Sequence, residues 1–185
     1  MRKTILACVV GLMASTAAYA EGVVGFEFGL NYMAAPTESS LEGYAKSFTL
    51  SFPMNETLTV GIRHEEGELD STVGAVTNNF DTDINQLVLT KVYSERVGLS
   101  LGLGYGTASR TSGGAASASA IVGEVAVPLF LMSDKTKFGK VDIKLTPSYR
   151  MFDVDNGTFA AAAGATNKVE EFGGFNVALS AAVTF

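Results

Sequence analysis

The chain lacks several residue types that globular proteins use routinely. Tryptophan is absent, and the 185 residues include one cysteine, one histidine and four prolines. Charged residues make up 17% of the chain, against roughly a quarter in an average soluble domain. Hydrophobic residues reach 47%, which excludes a disordered chain, yet the sequence shows no obvious membrane helix. The apolar residues of this one-domain chain are therefore distributed in another way.

Positive charge is also scarce. The chain has 13 Lys plus Arg against 19 Asp plus Glu, which gives a net charge of −6 and an isoelectric point near 4.8. A nucleic-acid-binding protein needs a basic surface to displace phosphate counterions, so no nucleic-acid partner is expected. The sequence also contains no motif for a cofactor or for a dedicated metal site, and we expect neither.

The first twenty residues have the layout of a cleaved secretory signal. Arg2 and Lys3 supply the positive start, residues 4–13 are apolar, and Ala-Tyr-Ala at 18–20 provides the small residues before a cleavage point. The apolar stretch is too short to remain as an anchor in a hydrocarbon core about 30 Å thick. We predict a signal peptide over 1–20 and a single exported domain over 21–185. Cleavage removes Cys8 and leaves 11 basic against 19 acidic residues, a balance of −8 without any disulfide.

Beyond residue 21 the apolar residues recur at every second position, the period of a β-strand with one apolar face. The clearest segment is 97–105, where Val and Leu alternate with Gly and Ser. The segment 83–93 has an ambiguous phase, because one set of apolar residues competes with another for the same face. Those two sets are Leu87, Leu89 and Tyr93 against Ile84, Val88 and Val92. Together with segments at 26–32, 48–52, 58–62, 121–131, 141–151 and 175–185, the count is eight strands.

The predicted connections differ in length at the two ends of the strands. Three are short, at 53–56, 94–96 and 133–139, and four are longer, at 34–43, 65–82, 108–117 and 153–171. Short turns at one end and long loops at the other are typical of an up-and-down transmembrane barrel, with the short turns periplasmic and the long loops extracellular. The predicted fold class is all-β, an eight-stranded antiparallel barrel.

The direction of the apolar face needs a separate argument, because a soluble barrel with an inward apolar face shows the same alternation. Its outer surface would then consist of Gly, Ser, Ala and Thr with few charges, whereas soluble surfaces are rich in charge. We therefore predict that the apolar face contacts lipid. Aromatic residues near the strand ends fit the two bilayer interfaces. The predicted aromatic girdles comprise Tyr32, Tyr44, Phe52, Tyr93, Tyr105 and Tyr149.

The last predicted strand has apolar residues at alternate positions and a terminal phenylalanine. Its pattern residues are Phe175, Val177, Leu179, Val183 and Phe185. This strand resembles the C-terminal strand of bacterial outer-membrane β-barrel proteins, and residues 21–185 are similar in size and pattern to the small eight-stranded members, the OmpA membrane domain, OmpX and NspA. The resemblance implies that the barrel-assembly machinery recognises this strand and that periplasmic chaperones accompany export. It also implies a monomeric protein of the bacterial outer membrane in contact with its lipids and lipopolysaccharide.

Charged residues on the predicted inward face are the candidate functional groups. They are Glu27, Arg63, Glu124, Asp142, Lys144 and Arg150, three of each sign. Enclosed charges need partners, because an unpaired charge loses its hydration without compensation. One hypothesis is a structural polar core, and the other is the lining of a narrow pore, since lumen charges set channel selectivity. The glycine-rich inward face of 97–105 leaves space inside and favours the pore somewhat.

Two groups near the long-loop end suggest further hypotheses. His64 would be the base of a lipid-modifying barrel enzyme, but no motif pairs it with the nucleophile that such a base requires. Acidic residues of the long loops are expected to be solvated or to bridge divalent cations to lipopolysaccharide phosphates. They are Glu65, Glu66, Glu68, Asp70, Asp81, Asp83, Asp153, Asp155, Glu170 and Glu171.

The sequence as a whole predicts a non-enzymatic outer-membrane barrel with a structural or surface-interaction role in the cell envelope. The alternatives are a narrow porin or small-solute channel and, third, a lipid-modifying enzyme.

Overall fold

A computed structural model describes residues 24–35, 40–73, 76–112, 116–137, 139–154, 159 and 172–185. The predicted signal peptide, residues 1–20, lies outside these ranges. The strands are β1 (Gly25–Ala35), β2 (Ser40–Pro53), β3 (Leu58–Val73), β4 (Val76–Ser94), β5 (Val97–Arg110), β6 (Ala116–Ala126), β7 (Leu129–Thr136), β8 (Gly139–Phe152) and β9 (Gly174–Thr184). Within the described ranges, no helix has the length and hydropathy needed to cross a membrane.

The strands form a closed antiparallel ring. Each strand pairs with its neighbours, and β9 pairs with β1, which joins the two ends of the sheet. β6 and β7 both lie between β5 and β8, so they occupy one position in the ring. Pro128 separates them because it has no N–H for the ladder, while the neighbouring Val127 N–H still donates to Pro147 O at 2.9 Å. Nine elements thus form a ring of eight strands, which confirms the predicted fold class.

The strands extend much further toward the long-loop end than the sequence pattern predicts. The predicted loop over 65–82 is largely strand, since β3 continues to Val73 and β4 begins at Val76. The predicted loop over 34–43 contains strand at 34–35 and 40–43, and the predicted loop over 108–117 contains strand at 108–110 and 116–117. These three loop assignments are wrong in extent. The cause is that the outward positions become polar there, so the apolar alternation that marks the strands stops before the strands do.

The ambiguous segment 83–93 has its even-numbered residues inside the barrel. Leu87, Leu89 and Tyr93 point outward and are exposed, while Ile84 is buried inside. Apolar residues occupy both faces of β4 because its upper part, toward the long loops, buries an apolar interior, and its lower part, toward the short turns, has an apolar exterior. Ile84 belongs to the apolar upper interior, whereas Val88 and Val92 face inward lower down, so both sets of apolar residues in the sequence correspond to real faces of one strand.

The hydrophobic core lies inside the upper end of the barrel. Four phenylalanine rings form its centre, which we call the upper plug: Phe80, Phe152, Phe159 and Phe172. Phe172 lies 5.1 Å from Phe80, 5.7 Å from Phe152 and 5.4 Å from Phe159, measured between ring centroids. Aliphatic side chains pack around these rings, namely Met33, Leu41, Leu69, Ile84, Val122 and Val154. The upper interior is therefore packed like the core of a soluble protein.

The exterior below the plug is apolar. Exposed large side chains cover it, including Phe28, Leu30, Ile62, Leu87, Leu89, Leu101, Leu103, Ile121, Val125, Met151 and Leu179. The residues predicted for the aromatic girdles all lie on this outer surface, with Tyr32, Tyr44, Tyr93, Tyr105 and Tyr149 exposed and Phe52 half-buried. The C-terminal pattern residues Phe175, Val177, Leu179 and Val183 lie on the outer face of β9, and Phe185 follows the end of the strand and is exposed.

Candidate functional site

The middle of the barrel interior contains a buried layer of paired charges, which we call the central ion-pair layer: Arg63, Glu65, Glu124 and Arg150. Arg150 Nη1 lies 2.5 Å from Glu65 Oε1, and Arg150 Nη2 lies 2.8 Å from Glu124 Oε2. Arg63 Nη2 lies 2.8 Å from Glu124 Oε1. The two guanidinium groups and two carboxylates balance each other, so the layer is neutral. Bidentate pairing of this kind gives a buried arginine fixed partners and a fixed orientation.

The register of the sheet creates part of this layer and barrel closure creates the rest. Glu124 and Arg150 stand directly opposite each other on β6 and β8. Arg63 stands opposite Gln86, whose Oε1 accepts from Arg63 Nε at 3.2 Å. The pair between Arg150 and Glu65 instead crosses the lumen from β8 to β3, and only ring closure brings those two strands within reach.

Glu65 is the residue of this layer that the sequence prediction missed. It was expected in an acidic loop, but it lies on β3 with a side chain only 1% exposed, where it accepts hydrogen bonds from Arg150 and from Asn31 Nδ2. The loop assignment of Glu65 is therefore wrong. The sequence does contain a signal for Glu65. Thr59, Gly61 and Arg63 point inward at every second position, and continuing the strand by two residues places Glu65 on the same inward face.

The glycines of β5 provide room for this layer and for the plug. A Cβ on Gly102 would lie 3.0 Å from Gln86 Nε2, and a Cβ on Gly106 would lie 2.9 Å from Phe152 Cζ. Those distances are too short for an unadjusted side chain. Part of the space that suggested a pore in the sequence is thus occupied by side chains from other strands.

The lower interior is an open chamber, which we call the lower chamber. Its volume is about 1070 Å³, and its lining extends from Arg63 down to the turn residues Met54 and Asn55. Lys144 Nζ donates to Glu27 Oε2, Ser180 Oγ donates to Glu27 Oε1 at 2.6 Å, and Lys140 Nζ lies 3.1 Å from Asp142 Oδ1. The six charged residues singled out in the sequence therefore all lie inside the barrel, divided between the central layer and this chamber.

His64 lies outside the barrel, on the opposite face of β3 from the central layer. Its Nδ1 is 3.0 Å from Asn85 Oδ1, and its Nε2 is 3.3 Å from Glu66 Oε1. These partners are an amide and a carboxylate, and neither is a nucleophile that a histidine base would activate. In the described part of the chain, no group of three or more His, Cys, Asp or Glu side chains is arranged to hold a metal ion.

The outward acidic residues above the apolar band form a surface that we call the acidic collar: Glu42, Glu66, Glu68, Asp70, Asp81 and Asp83. Like charges stand opposite each other on β3 and β4, with Glu66 facing Asp83 and Glu68 facing Asp81. Direct like-charge pairs across strands are destabilising. Asp153 is also exposed, while Asp155, Glu170 and Glu171 lie outside the described residues.

A closed ring of eight strands, an apolar outer band and a polar, charge-paired lower interior together define the fold of a transmembrane β-barrel. No protein-family model and no curated protein sequence matches the chain. Among solved structures, the chain is similar to crystal structures of Ail, the attachment invasion locus protein of Yersinia pestis. One, in complex with the heparin analogue sucrose octasulfate, has 14% identity and a TM-score of 0.46, covering 88% of this chain and 96% of Ail. Another Ail structure has 13% identity and a TM-score of 0.45 with the same coverage.

Proposed function

We propose that this protein is a non-enzymatic integral barrel of the bacterial outer membrane, with a structural or surface-interaction role at its upper end. The observation that supports this best is the outward apolar band, on which Phe28, Leu30 and Leu103 are each 65% exposed. A continuous apolar surface of this kind is unfavourable in water and favourable in a hydrocarbon core. The band also encircles the barrel, which distinguishes it from a local docking patch.

The upper edge of the band gives the height of the proposed bilayer surface. On β3 the outward residues change from Ile62 to His64 and Glu66, and on β4 they change from Leu87 to Asn85 and Asp83. Carboxylates are costly in hydrocarbon, so the lipid boundary is expected between these positions. The acidic collar then stands just outside the membrane, at the level of lipopolysaccharide phosphates, where divalent cations would bridge the two sets of oxygens.

The interior favours a structural barrel over the alternative of a channel. A solute that entered the lower chamber would meet the central ion-pair layer and then the upper plug, in which Phe80, Phe152 and Phe172 are at most 1% exposed. Both layers would have to separate before an ion could pass. We therefore expect the resting barrel not to conduct.

The proposal is tested with the mature chain refolded into lipid vesicles. We expect a barrel whose migration on gels changes on heating, and planar-bilayer recordings without current steps. Recovery of the protein as a soluble periplasmic species would overturn membrane insertion. Reproducible current steps that Arg150→Met alters would instead favour the channel.

The enzyme alternative has a separate test. Deletion and overexpression of the protein should leave the lipid A acylation profile unchanged. A profile that changes with the wild type and not with His64→Ala would show that the protein modifies lipid.

A further inference from the structure

The lower chamber is a cavity with both polar and apolar lining residues, and it is open at one end. Its volume of about 1070 Å³ is near the upper end of the ~300–1,000 Å³ typical of small-ligand sites. Its lining reaches the short-turn rim at Asn55 and Lys135, and its inner end meets the buried central ion-pair layer. A solute can therefore enter and leave at the rim, which is the geometry of a binding cavity rather than a passage.

The walls of the chamber differ in chemistry. The wall from β2 to β5 presents hydroxyl groups, from Ser47, Thr49, Ser51, Thr59, Thr90 and Ser100. The facing wall presents charges of both signs, with Lys140, Asp142 and Lys144 alternating along β8 and Glu27 on β1, the next strand but one across β9. These four charges sum to zero, as do Glu56 and Lys135 at the rim, and Arg63 at the inner end is paired with Glu124, so the chamber has no excess of either sign.

We propose that the lower chamber binds a small zwitterion of dipeptide size. Inward positions of one strand recur every two residues, so the Cα atoms of Asp142 and Lys144 are separated by about 6.6 Å along the strand, whereas Lys140 Nζ lies 3.1 Å from Asp142 Oδ1. An extended dipeptide spans about the same distance, since each residue adds at most ~3.3–3.6 Å. Its carboxylate would meet an ammonium of Lys140 or Lys144, and its ammonium would meet Asp142 or Glu27. Access from the periplasm rests on the membrane orientation proposed above, whereas binding itself does not.

The existing pairs leave bonding capacity for such a ligand. Lys144 has three donors, and its ammonium donates a hydrogen bond to Glu27 Oε2. Asp142 lines the chamber, and its Oδ1 is buried, has an ionic contact with Lys140 and accepts no well-oriented hydrogen bond, so the side chain must turn for this oxygen to meet a ligand. A zwitterion could therefore bridge both signs without separating Lys144 from Glu27.

The test is an NMR titration of the refolded mature chain in a nonionic detergent, because zwitterionic detergent headgroups would compete. The probe is glycylglycine, and we expect saturable amide shifts at Glu27, Asp142 and Lys144. Acetate and methylammonium, each of one charge, should give weaker shifts. Saturable shifts at these amides that are equal for acetate would overturn the zwitterion assignment, and an absence of saturable shifts would overturn the site.

Variants distinguish the loss of a binding contact in the chamber from a general effect on the barrel. Lys144→Gln and Lys140→Gln should each weaken glycylglycine binding about tenfold, because each removes a charged hydrogen-bond donor. Lys46→Gln is the matched control, since Lys46 is exposed on the outer surface. Equal affinity in all three variants would contradict the proposal. Lys140 lies at the rim and half-exposed, so its variant remains informative if Lys144→Gln fails to fold.

A second arm identifies the kind of zwitterion. Phosphoethanolamine, the soluble headgroup of a zwitterionic phospholipid, is titrated in parallel. Tighter binding of phosphoethanolamine than of glycylglycine would overturn the dipeptide assignment. A well-dispersed spectrum with heat-modifiable migration but no ligand shift would reject this inference and leave the proposed membrane function intact, whereas failure to insert would reject the membrane function.

Discussion

The lower and upper parts of this barrel have opposite polarity although the same strands build both. Below the boundary, Leu87 and Leu89 of β4 face outward and Gln86 and Thr90 face inward. Above it, Asp81 and Asp83 face outward while Phe80 and Ile84 are buried inside. The strand parity is constant from Phe80 to Thr90, so most apolar residues change faces at this height, although Val88 remains on the inner face and lines the lower chamber. Apolar side chains therefore point outward where hydrocarbon surrounds the barrel and inward where water surrounds it.

The two parts also hold their interiors together differently. The interior below the upper plug is held together by ion pairs, some between neighbouring residues of the sheet and some across the lumen, and the upper interior is held together by close-packed rings. A buried ion pair is strongly destabilising when one partner is removed, because the other charge is left without compensation. A close-packed ring leaves a cavity when it is truncated. Substitutions in the two parts should therefore destabilise the barrel for different reasons, and different second substitutions should restore its stability.

Arg150→Met should have the largest effect. It leaves Glu65 and Glu124 buried without their shared partner, and we expect a loss of about 4 kcal/mol in the free energy of unfolding. Urea unfolding in vesicles measures it. Adding Glu65→Gln should restore part of the loss, and a variant as stable as the wild type would show that the layer contributes nothing.

Phe80→Ala should be the next largest, with a loss of about 3 kcal/mol, because it opens a cavity in the upper plug. The matched control is Phe28→Ala on the lipid-facing surface, where acyl chains fill the space and the loss should be smaller. Equal losses for the two variants would mean that the upper interior is not packed as described. The same urea series measures both.

Leu101→Arg tests the lipid boundary directly. Leu101 faces outward within the apolar band, opposite Leu89 and Val125. An arginine there should cost about 2 kcal/mol. Ser119→Arg, on the outward face above the boundary, should cost almost nothing. If both variants lose the same stability, the boundary lies elsewhere.

Glu68→Gln should have the smallest effect and the opposite sign. It removes the repulsion between Glu68 and Asp81, and we expect a gain below about 1 kcal/mol at low ionic strength. The gain should shrink in high salt because the charges are exposed and screened. Thermal unfolding at two salt concentrations measures it, and a gain unaffected by salt would point to another cause.

The sequence determines the lower part of the barrel far better than the upper part. Residues 97–105 are predictable because lipid imposes strict alternation on the outer face. The upper parts of β3 and β4 were read as loops because polar residues in water-facing positions follow no such rule. The upper plug was not predictable from the sequence. Phe159 and Phe172 contact Phe80 although they are distant from it along the chain, and local periodicity contains no information about such contacts.

Glu65 shows the same limit at a single residue. Its acidic neighbours Glu66 and Glu68 point to water, and residue type alone would predict that all three glutamates are exposed. The parity of the strand separates them, but only when the strand is known to continue. Lys144 and Glu27, which are separated by 117 positions, were predicted to face the same interior, yet their direct pairing depends on ring closure.

The pairing of β1 with β9 has a consequence for folding kinetics. Residues 25–34 join residues 175–184, so the contact that completes the ring has a sequence separation close to the full span of the strands. Closing such a loop is entropically costly and slows folding. No native barrel can exist on the ribosome until β9 has emerged. Until β9 pairs with it, β1 has an open hydrogen-bonding edge, which makes the unfolded chain prone to aggregation.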